Sequence, residues 1–119
     1  MNEAVYFHVH FEINEGKLET FKEIAEAMIA ATRQETGARG YEWHISDDGT
    51  ECRLLETYAN EAAVTAHISG KAVQEFLPKL LQVSSISGFE VYGYPGSPAA
   101  RILSARGARI FRRWNGIAS

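Results

Sequence analysis

Cysteine is almost missing from this chain: its 119 residues hold one, Cys52, so no intramolecular disulfide can form. Cys52 lies inside a strand-like run, which gives it the role of a small buried apolar side chain. Long apolar runs are missing too, since no segment approaches the roughly 18 consecutive apolar residues of a spanning helix. The N-terminal stretch MNEAVYF has no basic stretch followed by an apolar run, so no secretory signal is expected. Together these features exclude a membrane role and point to the cytoplasm. Also absent are a glycine-rich phosphate loop, a GxSxG elbow and a dinucleotide fingerprint, which weighs against enzymes built on phosphate-bearing cofactors.

What is present is an ordinary globular balance, 45% hydrophobic and 23% charged, at a length that suits one core. The net charge of −3 is unevenly spread. From Gly96 onward there are five arginines (Arg101, Arg106, Arg109, Arg112, Arg113) and no acid, so the preceding body stands at −8. A body over residues 1–95 and a basic tail over 96–119 follow from that shift.

In AVYFHVHFEI, residues 4–13, Val5, Phe7, Val9, Phe11 and Ile13 alternate as in a half-buried strand. Asn14 is placed to cap a helix on which Leu18, Phe21, Ile24, Ala25, Met28 and Ile29 share a face, with Gly37 as its stop. Asp48-Gly49 divides residues 40–58 into a hairpin. A two-residue turn there sets Tyr41 opposite Glu56, Trp43 opposite Leu54 and Ile45 opposite Cys52. Asn60 caps a short helix, Gly70 breaks it, and Val73, Phe76, Leu77, Leu80 and Leu81 form a second apolar helical face that Pro78 can kink. A last strand is expected over 88–95. In the tail, Ser97 and Pro98 announce a helix that Gly107 ends, and ARIFRRW reads as an extended arm.

The order βαββαβ is that of the ferredoxin-like α+β sandwich, a four-stranded antiparallel sheet with helices on one face. On the other face β1 would present Tyr6, His8, His10 and Glu12, more apolar than an open surface requires. A homodimer packed sheet to sheet covers it, with the arm reaching onto the partner. RNA-binding domains share the order, but their aromatic signature is missing and the body is acidic, so nucleic acid is not an expected partner.

His67 follows Ala63 by four residues and Val64 by three, so it shares their helical face and looks toward the sheet. There it meets the face carrying Tyr41, Trp43, Glu56 and Tyr58. Two readings stand. His67 and Glu56 can act as a proton-transferring pair with the three aromatic rings as a stacking wall, or they can hydrogen-bond one another and merely close the core. His8, His10 and His44 have no nearby cysteine and no evident acidic triad, so no metal site is expected.

The stretch GARGYEWHISDDGTECRLLETYANEAAVTAH, with FLPKL and FEVYG after it, resembles the antibiotic biosynthesis monooxygenase domain family, which includes cofactor-free quinol oxygenases. The most specific part is Glu56, Tyr58, Asn60, Ala62, Ala63 and His67. The resemblance implies a dimeric α+β barrel with a pocket between sheet and helices. It further implies oxidation of a small quinol or polyphenol by O₂ with no cofactor, His67 and Glu56 being catalytic and Trp43, Tyr41 and Tyr58 binding substrate. Haem-degrading relatives carry an iron-ligating histidine about ten residues after this point, where Leu77 stands here, so haem chemistry is not implied. Alternatives are a non-catalytic ligand-binding or regulatory barrel, and an isomerase of a small carbonyl compound.

Overall fold

Strict alternation places β1 (Val5–Ile13) at the centre of the sheet, its odd-numbered residues buried and its even-numbered ones half-buried or exposed. The computed structural model describes residues 3–117. Met1 and Asn2, which open the stretch read for a signal, and Ala118 and Ser119, which end the tail unit, lie outside the described residues. β1 pairs antiparallel with β3 (Glu51–Tyr58) on one side and with β4 (Ser84–Tyr92) on the other. β2 (Ala38–Ile45) pairs with β3, giving the ferredoxin-like order β2-β3-β1-β4, and β5 (Arg109–Phe111) adds a parallel edge strand beyond β4, so the sheet has five strands rather than the expected four and the start of ARIFRRW pairs within its own chain instead of reaching onto a partner. Within the chain this α+β sheet is open.

The hairpin keeps the expected register, with Tyr41 opposite Glu56, Trp43 opposite Leu54 and Ile45 opposite Cys52. Its loop is longer than the two-residue turn, since Ser46 N–H closes on Glu51 O across residues 47–50. Asp48 organises that loop by accepting from the Ser46 and Thr50 hydroxyls, both at 2.8 Å. The register is unchanged because one residue from each strand, Asp47 and Thr50, joins the turn, which stays centred on Asp48-Gly49.

One face of the sheet is covered by α1 (Leu18–Arg33), α2 (Glu61–Ile68), α3 (Leu77–Leu80) and α4 (Ser97–Ala105), over a core that includes Phe7, Phe11, Phe21, Leu54 and Val64. Asn14 does not cap α1: its carbonyl accepts from Lys17 N–H in a turn through Gly16, and the helix begins after Lys17. Before Pro78 the backbone winds wide over residues 72–76, with Leu77 N–H reaching Ala72 O, which absorbs the imino acid without a break. β4 starts at Ser84, four residues earlier than expected, because Ser84 and Ser85 still find partners in Ile13 and Glu12. Gly96, at φ 91°, rather than Ser97 precedes α4, and the Ser97 hydroxyl bonds Tyr94 instead. Among the described residues no helix is long and apolar enough to cross a membrane.

On the uncovered face Tyr92 stacks on Phe111 at 5.4 Å and meets His8 edge-on at 4.9 Å, so the half-buried state of β1 there comes from its neighbours in the sheet. Cys52 is buried, and burial pushes its thiol up to about 11.

Gly37 does not stop α1, which ends at Arg33. A Cβ on Gly37 would lie 2.4 Å from Cβ of Ala63, so glycine is required for the loop after α1 to touch α2. Gly37→Ala is expected to destabilise the protein by about 1–3 kcal/mol through overpacking, read as a lower urea midpoint. A midpoint equal to the parent's would contradict this account of the contact.

Candidate functional site

Strand alternation turns Glu56 and Tyr58 of β3 to the helix-covered face, with Tyr41 opposite Glu56 on β2 and Phe7 opposite it on β1. Asn60 starts α2 as expected, its side-chain oxygen accepting Ala63 N–H at 3.0 Å. That fixes the rotation of α2, and Ala63, Val64 and His67 are its buried residues. His67 is 3% exposed and Glu56 5%, so neither can rely on water for its hydrogen bonds.

The His67 ring is held at both nitrogens. Nδ1 lies 2.9 Å from Oε1 of Glu35, and Nε2 lies 3.4 Å from Oε1 of Glu56. Tyr58 packs against the ring at 4.9 Å and Tyr41 meets it edge-on at 5.6 Å. The Tyr58 hydroxyl donates to the Glu56 carboxyl. Of the five residues expected from sequence, four therefore gather here: His67, Glu56, Tyr58 and Tyr41. Trp43 is set one strand position further along, stacked on Phe11 at 5.9 Å and edge-on to Phe21, where it belongs to the core.

Glu35 was not expected. It lies in the loop between α1 and β2, outside any periodic pattern, and it reaches His67 because the Gly37–Ala63 contact presses that loop onto α2. Gly70 assists, since a Cβ there would come within 2.9 Å of Oε2 of Glu35. The only sequence signal was this pair of glycines, which read simply as helix punctuation.

Burial governs the protonation states. It pushes Glu56 up to about 8, the Glu35 charge adding to the effect and the Tyr58 hydrogen bond opposing it. Burial also lowers His67, against the pull of Glu35. Both phenols, Tyr41 and Tyr58, are pushed upward by burial and by the neighbouring Glu56. Near neutrality Glu56 thus keeps its proton and His67 is uncharged. A carboxylate only accepts, so Glu35 selects the tautomer with hydrogen on Nδ1 and leaves a lone pair on Nε2. At 3.4 Å the contact with Glu56 is too long to saturate that lone pair.

His67 and Glu56, the residues that meet at Nε2, border with Tyr41 a cavity of about 80 Å³ that is otherwise almost wholly apolar. Phe7, Val9 and Leu54 form its floor, and Met28 and Ile68 close it from the helices. A bulge in β4 leaves Ser87 without an opposite residue, so Ile86 faces Phe11 and joins the wall. The last side comes from the tail, through Ile102, Leu103 and Arg106. No tail residue was expected at the site. Among the described residues no group of three or more histidine, cysteine or acidic side chains is arranged to hold a metal ion.

Residues 4–79 match the pattern of the family described as antibiotic biosynthesis monooxygenase, well over half of the chain. The chain belongs to the antibiotic biosynthesis monooxygenase family. Its fold is similar to the crystal structure of MupZ from Pseudomonas fluorescens, with a TM-score of 0.86 at 23% identity over 100% of this chain and 91% of that one. Rv0793 from Mycobacterium tuberculosis gives 0.68 at 22% identity, over 79% of this chain and 97% of that one. A conserved protein from Methanosarcina mazei Go1 gives 0.68 at 18%, over 76% and 92%. No protein of curated function matches the chain. The family match ends before β4, α4 and β5, so the tail wall of the cavity lies outside the region that defines the family.

The buried acid leaves a mark on stability. Glu56 titrates near 8 in the folded chain against 4.5 ordinarily, so between those values the unfolded chain binds fewer protons and stability falls as pH rises. His67, lowered from 6.5, has the opposite slope, but only below that pH. From about pH 6.5 to 8 the Glu56 slope therefore stands alone, at up to about 1.4 kcal/mol per pH unit. Urea unfolding across this window should show the decline in the parent and a flatter profile in Glu56→Gln. Parallel profiles would mean that Glu56 is ionised in the folded state.

Proposed function

We propose that this protein is a cofactor-independent monooxygenase acting with O₂ on a small electron-rich aromatic such as a quinol or polyphenol. The observation that carries the reading is the His67 ring, which lines an apolar cavity beside Glu56 while Glu35 holds its Nδ1. Base, orienter and dry pocket together are what deprotonation of a phenol requires. The resulting anion is a far better electron donor than the phenol, and a hydroquinone with O₂ can give a hydroxyquinone and water without an outside reductant. Glu56 carries the proton that the reduced oxygen needs. Tyr41 and Phe7 flank the space a ring would occupy. The cavity is small beside ordinary ligand sites of about 300–1,000 Å³, which favours one ring over a polycycle. Tyr58 supports the site from beneath by holding Glu56.

The retained proton on Glu56 beside an uncharged His67 favours a second reading, an isomerase of a small carbonyl compound, with Glu56 as acid at the carbonyl oxygen and His67 as base at the adjacent carbon. Oxygen consumption separates the two. With a panel of substituted hydroquinones the parent should take up O₂, and His67→Ala should lower kcat/KM by about 100-fold or more. Solvent deuterium entering a ketone with no O₂ consumed would favour the isomerase. Binding with neither reaction would leave a ligand-binding or regulatory barrel.

The working unit in this reading is a cytoplasmic homodimer, two open sheets closing into an α+β barrel. Tyr6, His8, Tyr92, Phe111 and the 37%-exposed Leu55 supply an uncovered face with enough apolar surface for a partner sheet. Trp114 and Ile117 of the tail, 92% and 99% exposed, would also find cover on the partner. Light scattering at micromolar concentration should give twice the chain mass of 13.2 kDa, and a monomer mass would remove the barrel.

A further inference from the structure

Of the five tail arginines, Arg109 lies over the Phe111 ring and Arg112 over Tyr94, whereas among the described residues no carboxylate or ring engages Arg101, Arg106 or Arg113. Arg106 is the one of these three that reaches the cavity. Arg106 also lines the cavity that holds His67 and Glu56, where all other lining side chains are aliphatic or aromatic. Its position is fixed by the end of α4. It follows Ile102 by four residues and Leu103 by three, so the three share a helical face. Gly107, at φ 92°, ends the helix, and Ala108 N–H returns to Leu103 O at 3.0 Å, holding the last turn in place. Arg106 is exposed whereas Leu103 and His67 are buried, so Arg106 borders the cavity on its solvent side and the histidine on its closed side.

Such a space is polarised along its length: a proton-transfer pair inside, an apolar middle, and a single unpaired cation at the mouth. We propose that Arg106 determines specificity by binding a carboxylate on the substrate, whose aromatic or otherwise apolar part reaches inward to His67. Substrates are then amphiphilic acids rather than neutral quinols. A guanidinium and a carboxylate meet through two parallel hydrogen bonds, which fixes orientation as well as affinity. Because α4 lies outside residues 4–79, which the family pattern matches, this preference is not a property of that pattern. The inference rests on the proposed reading only in taking the cavity as the substrate site.

The test compares 3-(2,5-dihydroxyphenyl)propanoate with its methyl ester, measuring binding by calorimetry without oxygen and O₂ uptake in air. The parent should bind the acid about 10- to 100-fold more tightly than the ester, the range expected for a charge-assisted hydrogen-bonded pair. Arg106→Ala should lose that preference by weakening the acid alone, Arg106→Lys should keep part of it, and Arg106→Glu should favour the ester. Equal binding of acid and ester by the parent, an unchanged preference in Arg106→Ala, or binding of neither compound would overturn the assignment. Arginine-dependent binding of the acid with no O₂ uptake would uphold it while removing the oxygenase reading. Equal O₂ uptake with acid and ester would do the reverse.

Discussion

The close approach of Gly37 to Ala63 is the contact on which the site's geometry depends. It allows the loop after α1 to lie directly against α2, and Ala63 is one helical turn from His67. The same contact that docks the loop therefore brings Glu35 to Nδ1 of the histidine. Any side chain at position 37 would hold the two elements apart, and a hydrogen bond of 2.9 Å has little tolerance for such a shift. Packing at one point and chemistry at another are thus joined by the rigidity of a single turn of helix.

A second constraint comes from burial. Two acids and an imidazole on an otherwise apolar face would be costly as isolated charges, and the chain resolves this through proton placement rather than ion pairing. Glu56 remains protonated, His67 remains neutral, and Tyr58 and Glu35 satisfy what remains. That solution costs the fold stability as the pH rises toward the Glu56 value, and it leaves an uncharged imidazole lining an apolar space. The destabilising feature and the chemically useful one are the same arrangement.

The tail changes the character of the cavity. A sheet with only α1 to α3 would leave its side near Phe89 and Ile86 open, and α4 supplies Ile102 and Leu103 to cover it. Parallel pairing of β5 with β4 anchors the segment after α4 to the sheet edge, so the wall is tied down at its far end. Arginine enters the site only through this addition. The tail thus adds a boundary beyond the family-matched residues 4–79 while the strands inside them carry the acid and the aromatic residues.

How much of this was legible in the sequence follows from the range of each interaction. Alternation in β1, the Asp48-Gly49 hairpin, the Asn60 cap and the helical spacing of His67 are local patterns, and each determined its element and the face its side chains take. The longer loop left the register unchanged, because it opens by one residue on each strand about Asp48-Gly49. The sequence alone therefore determined the four strands of the ferredoxin-like sheet, though not the fifth at its edge, and the meeting of Glu56, Tyr58, Tyr41 and His67 on one side. Only the tertiary structure decided that Glu35 orients the histidine, that Trp43 belongs to the core, and that Arg106 stands at the mouth of the cavity. Those three depend on how closely separate elements approach one another, a distance set by the packing of residues far apart in the chain and written in no local period.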